Sequence, residues 1–188
     1  MAVMPIKYQR AARQLLVGNI IAYPTESVWG FGCDPENQEA VAKLLSLKQR
    51  PISKGLILVA ASAEQFSRYL EGLSPSLQEK FRRPTAVPTT WLVPANKHAM
   101  SWITGDYDSI ALRVSTYKPV VDLCVAFGTP LVSTSANTAG KAPSQWPWQM
   151  HRYLGGGLDY ILPGSTGGNV KPSEIRDLLS DKVIRSAQ

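Results

Sequence analysis

Apolar positions along this chain recur at two spacings, one helical and one extended. From Tyr8 to Val17 they fall at Ala11, Ala12, Leu15 and Leu16, the pattern of a helix with one buried side, and Gly18 ends it. Asn19 to Tyr23 reads as a buried strand closed by Pro24. Asn37 to Leu47 is the clearest helix. Asn37 stands where a cap is needed, Glu36 and Glu39 suit the positive end of the dipole, and Ala40, Leu44, Leu45 and Leu47 form the apolar side. Pro51 stops further helix. Leu56 to Ala60 is a short continuous apolar run, hence a buried strand. Ala63 to Leu70 and Ser76 to Arg82 read as helices. Thr89 to Val93, Ser109 to Ser115 and Pro130 to Thr134 read as strands, and Pro119 to Phe127 as a helix with Pro in its first turn. Trp146 to Leu154 reads as helical and Tyr160 to Leu162 as a short strand, with one or two more in the tail.

Such mixing predicts an α/β fold with helices packed on a sheet. No linker divides the chain, so residues 1–188 are expected to form one domain. Stretches rich in Pro, Gly and Ser (Pro84 to Pro88, Ala139 to Ser144, Gly164 to Pro172) read as loops over a site.

Composition excludes several classes. The longest apolar run, Leu56 to Ala61, is too short to span a membrane, and Met1 to Arg13 has no apolar stretch of the kind a secretory signal needs. Cys33 and Cys124, with His98 and His151 at no ligand-like spacing, give neither a disulfide framework nor a metal motif. Both are expected to be free thiols in a reducing cytoplasm. The net charge is +6, with 11 basic and 7 acidic groups in residues 1–94 and 9 and 7 in residues 95–188. That spread favours anionic partners such as nucleotides, pyrophosphate or RNA, and it also suits a merely soluble protein.

Three segments can carry chemistry. Lys48-Gln49-Arg50-Pro51-Ile52-Ser53-Lys54-Gly55 puts three cations between a helix and a buried strand. Arg offers a planar fork for phosphate oxygens and Lys a mobile point charge. The same run would also serve as an ordinary solvated helix end. In Leu131 to Asn137, extended geometry puts Ser133, Ser135 and Asn137 on one face, at the carboxyl end of a strand, where open α/β sheets bind ligands. A polar strand edge is the alternative. Arg113 faces away from Ile110, Leu112 and Val114, beside Ala111 and Ser115, and in so apolar a strand it needs an anion or a carboxylate. Tyr23 to Gly32 adds hydroxyls, the carboxylate of Glu26 and two glycines that permit close backbone approach. A P-loop is absent: Gly140-Lys141 is followed by Ala142, and Ser135 stands where the first Gly is required. Any ATP would therefore be held by side-chain cations and hydroxyls.

Together these segments resemble the YrdC/TsaC family of threonylcarbamoyl-AMP synthases. The chain has Tyr23-Pro24-Thr25-Glu26, Lys48-Gln49-Arg50-Pro51 and Ser135-Ala136-Asn137 in the family's order. It also has Ala111-Leu112-Arg113-Val114, Pro172 to Asp177 and Val183-Ile184-Arg185, which match the short bacterial branch. The resemblance implies a twisted mixed sheet with helices on its faces and a concave basic cleft. It implies formation of threonylcarbamoyl-AMP and pyrophosphate from L-threonine, bicarbonate and ATP, with Mg²⁺ on the phosphates. This is the first step of tRNA threonylcarbamoyladenosine synthesis, and separate transfer proteins use the product.

Carried over by position, Lys48 and Arg50 are the expected catalytic cations. Arg50, Lys54, Ser109, Ser135, Asn137 and Arg185 would hold ATP, and Ser27, Val59, Arg113, Ser133 and Ser173 would surround threonine. Two departures stand out. Ser27 replaces a Thr common in relatives, and Arg82 to Trp91 keeps only Pro88 and Thr90 of a Trp-Pro-Gly-Pro-x-Thr segment, so the tight Gly turn is gone. The additional C-terminal domain of the longer branch is not expected. The rivals are a non-catalytic RNA-binding or ribosome-maturation factor using the same cleft, and a relative with another substrate. Retention of Lys48, Arg50, Ser135 and Asn137 favours the enzyme, with only weak tRNA binding.

Overall fold

The stripe formed by Tyr8, Ala11, Ala12 and Leu15 is buried against a β-sheet, as its spacing requires. A computed structural model describes residues 4–153, 156–168 and 172–186. Their helices are α1 (Ile6–Leu16), α2 (Gln38–Lys48), α3 (Pro75–Arg82), α4 (Ser101–Thr104) and α5 (Lys118–Phe127). Their strands are β1 (Ile21–Pro24), β2 (Trp29–Gly32), β3 (Ile57–Ala60), β4 (Thr89–Pro94), β5 (Ser109–Val114), β6 (Leu131–Ser135), β7 (Tyr160–Ile161), β8 (Glu174–Asp177) and β9 (Val183–Arg185). The sheet order is β7-β1-β2-β6-β3-β5-β4-β8-β9. Three pairs are parallel (β1 with β7, β3 with β5, β4 with β8) and five antiparallel, so the sheet is mixed.

Strand β6 joins the two halves. Leu131 to Ser133 pair with β3, and Thr134 and Ser135 pair with β2. One side of the sheet carries Ile20, Ala22, Phe31, Leu58, Leu112 and Val132, packed against α2, Phe66, Phe81 and Ile103. The other carries Ile21, Tyr23, Val59 and Leu131 under α1 and α5. Each Val, Leu, Ile or Phe side chain among these, fully buried, contributes roughly 1.5–3 kcal/mol.

Most of the expected elements form within a few residues of their expected ends. Two helices do not take the α form. Residues Ala63–Leu70 and Pro147–Tyr153 are 3-10 segments. Ala63, Phe66 and Tyr69 are buried at a spacing of three, as are Met150 and Tyr153, and only a 3-10 helix stacks residues i and i+3 on one line. The expected end of the second, Leu154, lies outside the described residues, as do residues 169–171 of the last loop and the first three of the amino-terminal segment. Strand β2 was not among the expected elements; its glycines were expected to permit close backbone approach to a ligand. Its Trp-Gly-Phe-Gly alternation instead buries Trp29 and Phe31 on one side and leaves the other bare. A Cβ on Gly32 would meet Leu131 Cδ1 at 2.7 Å, the Val132 carbonyl oxygen at 2.8 Å and Tyr23 Cε1 at 2.9 Å. Close packing of strand on strand requires this glycine.

Candidate active site

The site is organised by how α2 ends. Gln49 adopts a left-handed conformation (φ 51°), Gln49 N–H donates to the Ser46 carbonyl and Arg50 N–H to that of Leu45, both at 2.9 Å. This is a Schellman closure, and it turns Lys48 and Arg50 in different directions. Lys48 Nζ donates to the carbonyl oxygens of Ser135 and Asn137 (the latter 2.9 Å) and to Asn137 Oδ1 at 3.2 Å. Ser135 Oγ donates to the same Oδ1 at 2.6 Å, and Asn137 Nδ2 to the Lys141 carbonyl at 2.6 Å. Lys48 is only 5% exposed. Burial, and secondarily the charge of Arg50, lower its pKa to about 8. Lys48 thus ties the end of α2 to the end of β6.

Arg50 closes its own loop. Its Nε and NH2 donate to the Gly55 carbonyl at 3.3 and 2.8 Å, and NH2 to the Lys54 carbonyl at 3.0 Å. Gly55 has φ +57°, and a Cβ there would lie 2.7 Å from the Thr104 carbonyl oxygen, so only glycine fits. Burial lowers the Arg50 pKa. Lys54 is exposed and joins none of the ion pairs among the described residues. A cavity of about 250 Å³ adjoins Arg50, between Val41, Leu45, Ile52 and Trp102.

Strand register arranges the remaining residues in rows. Ile57 pairs with both Ala111 and Ser133, so Gly55, two residues earlier, falls beside Ser109 and Ser135. Val59 pairs with Arg113, Trp91 with Leu112 and Ile175 with Arg185, which brings Arg113, Thr90, Ile175 and Arg185 into another row. The two rows are four residues apart, roughly 13 Å of strand. Residues matched to ATP (Ser109, Ser135, Lys54, Arg50) gather around the first row, and Val59 and Arg113, matched to threonine, lie in the second; Ser133, opposite Ile57, falls midway between the two. Arg185 falls with the threonine group: its NH2 donates to the Ser173 carbonyl at 2.9 Å.

Ser27, Arg113 and Ser173 line one small pocket with Thr25, Glu26, Pro88 and Pro172. Arg113 NH2 is 3.5 Å from Glu26 Oε2, which supplies the carboxylate that the strand pattern required. Glu26 Oε1 accepts a 2.6 Å bond from Ser115 Oγ. Ser173 Oγ lies 2.9 Å from Thr90 Oγ1. Ser133 is buried and accepts a 2.7 Å bond from Tyr23 Oη, whose pKa burial drives up. Val59 is fully buried and its side chain packs beneath α5. In place of the missing Gly turn, Thr85 and Thr89 hydroxyls both donate to the Val87 carbonyl, at 2.8 and 2.9 Å, and hold Pro88 at the pocket. Glu26, Ser115, Tyr23 and Thr90 were not assigned site roles from the sequence. Glu26 and Tyr23 were legible as part of Tyr-Pro-Thr-Glu, and Ser115 from its two-residue offset to Arg113.

The family model Sua5_yciO_yrdC, described as telomere recombination, matches residues 13–187. The threonylcarbamoyl-AMP synthase of Cellvibrio japonicus is 47% identical over 175 residues, covering 93% of each chain. That of Marinobacter nauticus is 49% identical over 176 residues, again 93% of each. Among solved structures, P. abyssi Sua5 complexed with L-threonine superposes with a TM-score of 0.83 at 25% identity. The match covers 94% of this chain and 52% of that one, so this chain spans about half that protein's length. E. coli YciO shares the fold, with a TM-score of 0.75 at 23% identity over 95% of this chain and 88% of its own.

Proposed function

The chain belongs to the Sua5/yciO/yrdC family, and from that premise we propose that it makes threonylcarbamoyl-AMP, the first step of tRNA threonylcarbamoyladenosine synthesis. L-Threonine, bicarbonate and ATP give threonylcarbamoyl-AMP, pyrophosphate and water. The threonine amine becomes a carbamate, whose oxygen attacks the α-phosphorus and expels pyrophosphate. Negative charge grows on the bridging and leaving oxygens, so fixed cations lower the barrier.

The observation that carries this reading is the register. It sets the hydroxyls of Ser109 and Ser135, beside the Arg50–Lys54 loop, on the same side of the sheet as Arg113 and its pocket. In this assignment Lys54 and Arg50 meet the phosphates, with Arg50 exchanging the carbonyls of Lys54 and Gly55 for phosphate oxygens. Arg113 takes the threonine carboxylate, with Ser27 and Ser173 at its sides. Lys48 acts behind them, holding Ser135 and Asn137 in place. Mg²⁺ would enter on the ATP phosphates, neutralising their charge; among the described residues no three His, Cys, Asp or Glu side chains are grouped to bind a metal. The product passes to separate tRNA-modifying proteins. Among the described residues no helix is long and apolar enough to cross a membrane, and the buried free thiols Cys33 and Cys124 suit a cytoplasmic setting. RNA contact is incidental and salt-sensitive, resting on phosphate contacts alone.

Pyrophosphate release, measured with each substrate omitted in turn, tests the reading. It is expected to need L-threonine and bicarbonate together. Release that ignores threonine defeats it, and tight, salt-resistant tRNA binding would favour an RNA factor instead.

A further inference from the structure

Buried polar atoms are nearly always hydrogen-bonded, and a bare one asks for a missing partner. Two such atoms sit on facing side chains. Glu26 Oε2 and Arg113 Nε are both buried and have no hydrogen-bond partner among the described residues. Their side chains are 12% and 14% exposed, and both line the pocket with Ser27 and Ser173. Each is held from behind. Ser115 Oγ grips Glu26 Oε1 at 2.6 Å, and Ser115 N–H is itself tied to the Ala60 carbonyl at 2.9 Å. Arg113 is fixed by its place in β5.

The contact between them is loose. At 3.5 Å it exceeds the roughly 2.7–2.9 Å of a charge-assisted hydrogen bond. The cavity, about 30 Å³, has room for a water and none for an amino acid, so an amino acid would enter only if the Glu26 and Arg113 side chains swing apart. A ligand with one carboxylate would satisfy Arg113 and leave Glu26 repelled. A ligand carrying both an ammonium and a carboxylate would satisfy both bare atoms.

We propose that Glu26 determines specificity by receiving the substrate's ammonium group, L-threonine entering as a zwitterion between Glu26 and Arg113. This rests on the function proposed above. Its consequence is a filter on charge. Arg113 alone would accept any small anion, and ATP phosphates are handled on the same side of the sheet. A carboxylate that rests 3.5 Å away makes simple anions and phosphate poor ligands of Arg113 and favours a net-neutral amino acid.

The test compares L-threonine with 3-hydroxybutanoate, which is threonine without its amino group, by calorimetry on the wild type and on E26Q with ATP present. Gln keeps the size of Glu and can still accept from Ser115. The wild type is expected to bind L-threonine at least about tenfold more tightly than 3-hydroxybutanoate. E26Q is expected to lose about ten- to a hundredfold on L-threonine while holding or improving its grip on 3-hydroxybutanoate. Parallel weakening of both ligands would mean that Glu26 only positions Arg113, and would overturn the proposal, as would unchanged threonine binding. Should E26Q fail to fold, the wild-type comparison decides alone: equal affinity for both ligands overturns it. Failure of the underlying function reads out separately, as wild-type pyrophosphate release that ignores threonine.

Discussion

Lys48 Nζ lies 2.9 Å from the backbone oxygen of Asn137 and 3.2 Å from its side-chain oxygen, so one buried ammonium joins residues 89 positions apart. The carboxyl end of α2 and the strand end bearing Ser135 are thereby tied together. A side chain so engaged is a poor direct ligand for phosphate and a good anchor for groups that are.

Lys48→Met is accordingly expected to cost roughly 1–3 kcal/mol of stability, the penalty of leaving buried acceptors unpaired, and to weaken ATP binding. The stability term depends on pH. The folded protein holds Lys48 at a pKa of about 8 against a reference of 10.5, so between those values the unfolded chain binds more protons. The contribution of Lys48 therefore rises with pH across that window. Urea unfolding of wild type and variant from about pH 7 to 10.5 should show the gap widening, and a constant gap would contradict it.

Arg50→Ala should slow turnover about ten- to a hundredfold through lost phosphate contact, with the fold kept. Arg50→Lys should restore only part, because the planar fork that now spans the Lys54 and Gly55 carbonyls is gone. Steady-state kinetics with ATP varied decides. Wild-type values for Arg50→Ala would leave this loop an ordinary helix end.

Arg113→Ala should raise the threonine requirement far more than the ATP requirement, since its pocket lies roughly 13 Å along the strands from the row of Ser109 and Ser135. Titrating each substrate against the variant separates the two. Equal losses on both would make Arg113 a structural residue or a reader of phosphate.

Gly32→Ala should destabilise the protein by about 1–3 kcal/mol, because the added methyl meets the Val132 backbone at 2.8 Å and cannot be relieved by one side chain turning. Gly72→Ala, with nothing within 4 Å but a φ of +85°, should act only through its backbone. Thermal unfolding of the two variants compares crowding with conformational strain.

The helix caps and strand faces were legible because they follow local rules. Asn37 Oδ1 accepts from Ala40 N–H at 3.0 Å, as its position before an amphipathic run requires. Ile110 and Leu112 are buried and Arg113 turns the other way, as alternation predicts. What was not legible is what lies across the sheet. Nothing local says that Tyr23 donates to Ser133, 110 residues on, or that Glu26 reaches Ser115. Lys48 was readable as a cation beside the site. Its turn towards the backbone of Asn137 depends on how the Schellman closure of α2 meets β6, which no spacing along the chain reveals. Strand β2 was lost to a wrong weighting, since its glycines signal crowding by Tyr23 and Leu131 as much as room for a ligand.

The position of β8 and β9 at the far edge of the sheet sets an order of events during synthesis. Ser173, which lines the small pocket beside Arg113, and Arg185, which donates to the Ser173 carbonyl, leave the ribosome after every other strand has been made, and β8 must then find β4, more than eighty residues earlier in the chain. A nascent chain can assemble the row of Ser109 and Ser135 while the pocket beside Arg113 still lacks the wall that Pro172 and Ser173 supply. On the proposed assignment, the threonine pocket is complete only when the whole sheet has closed.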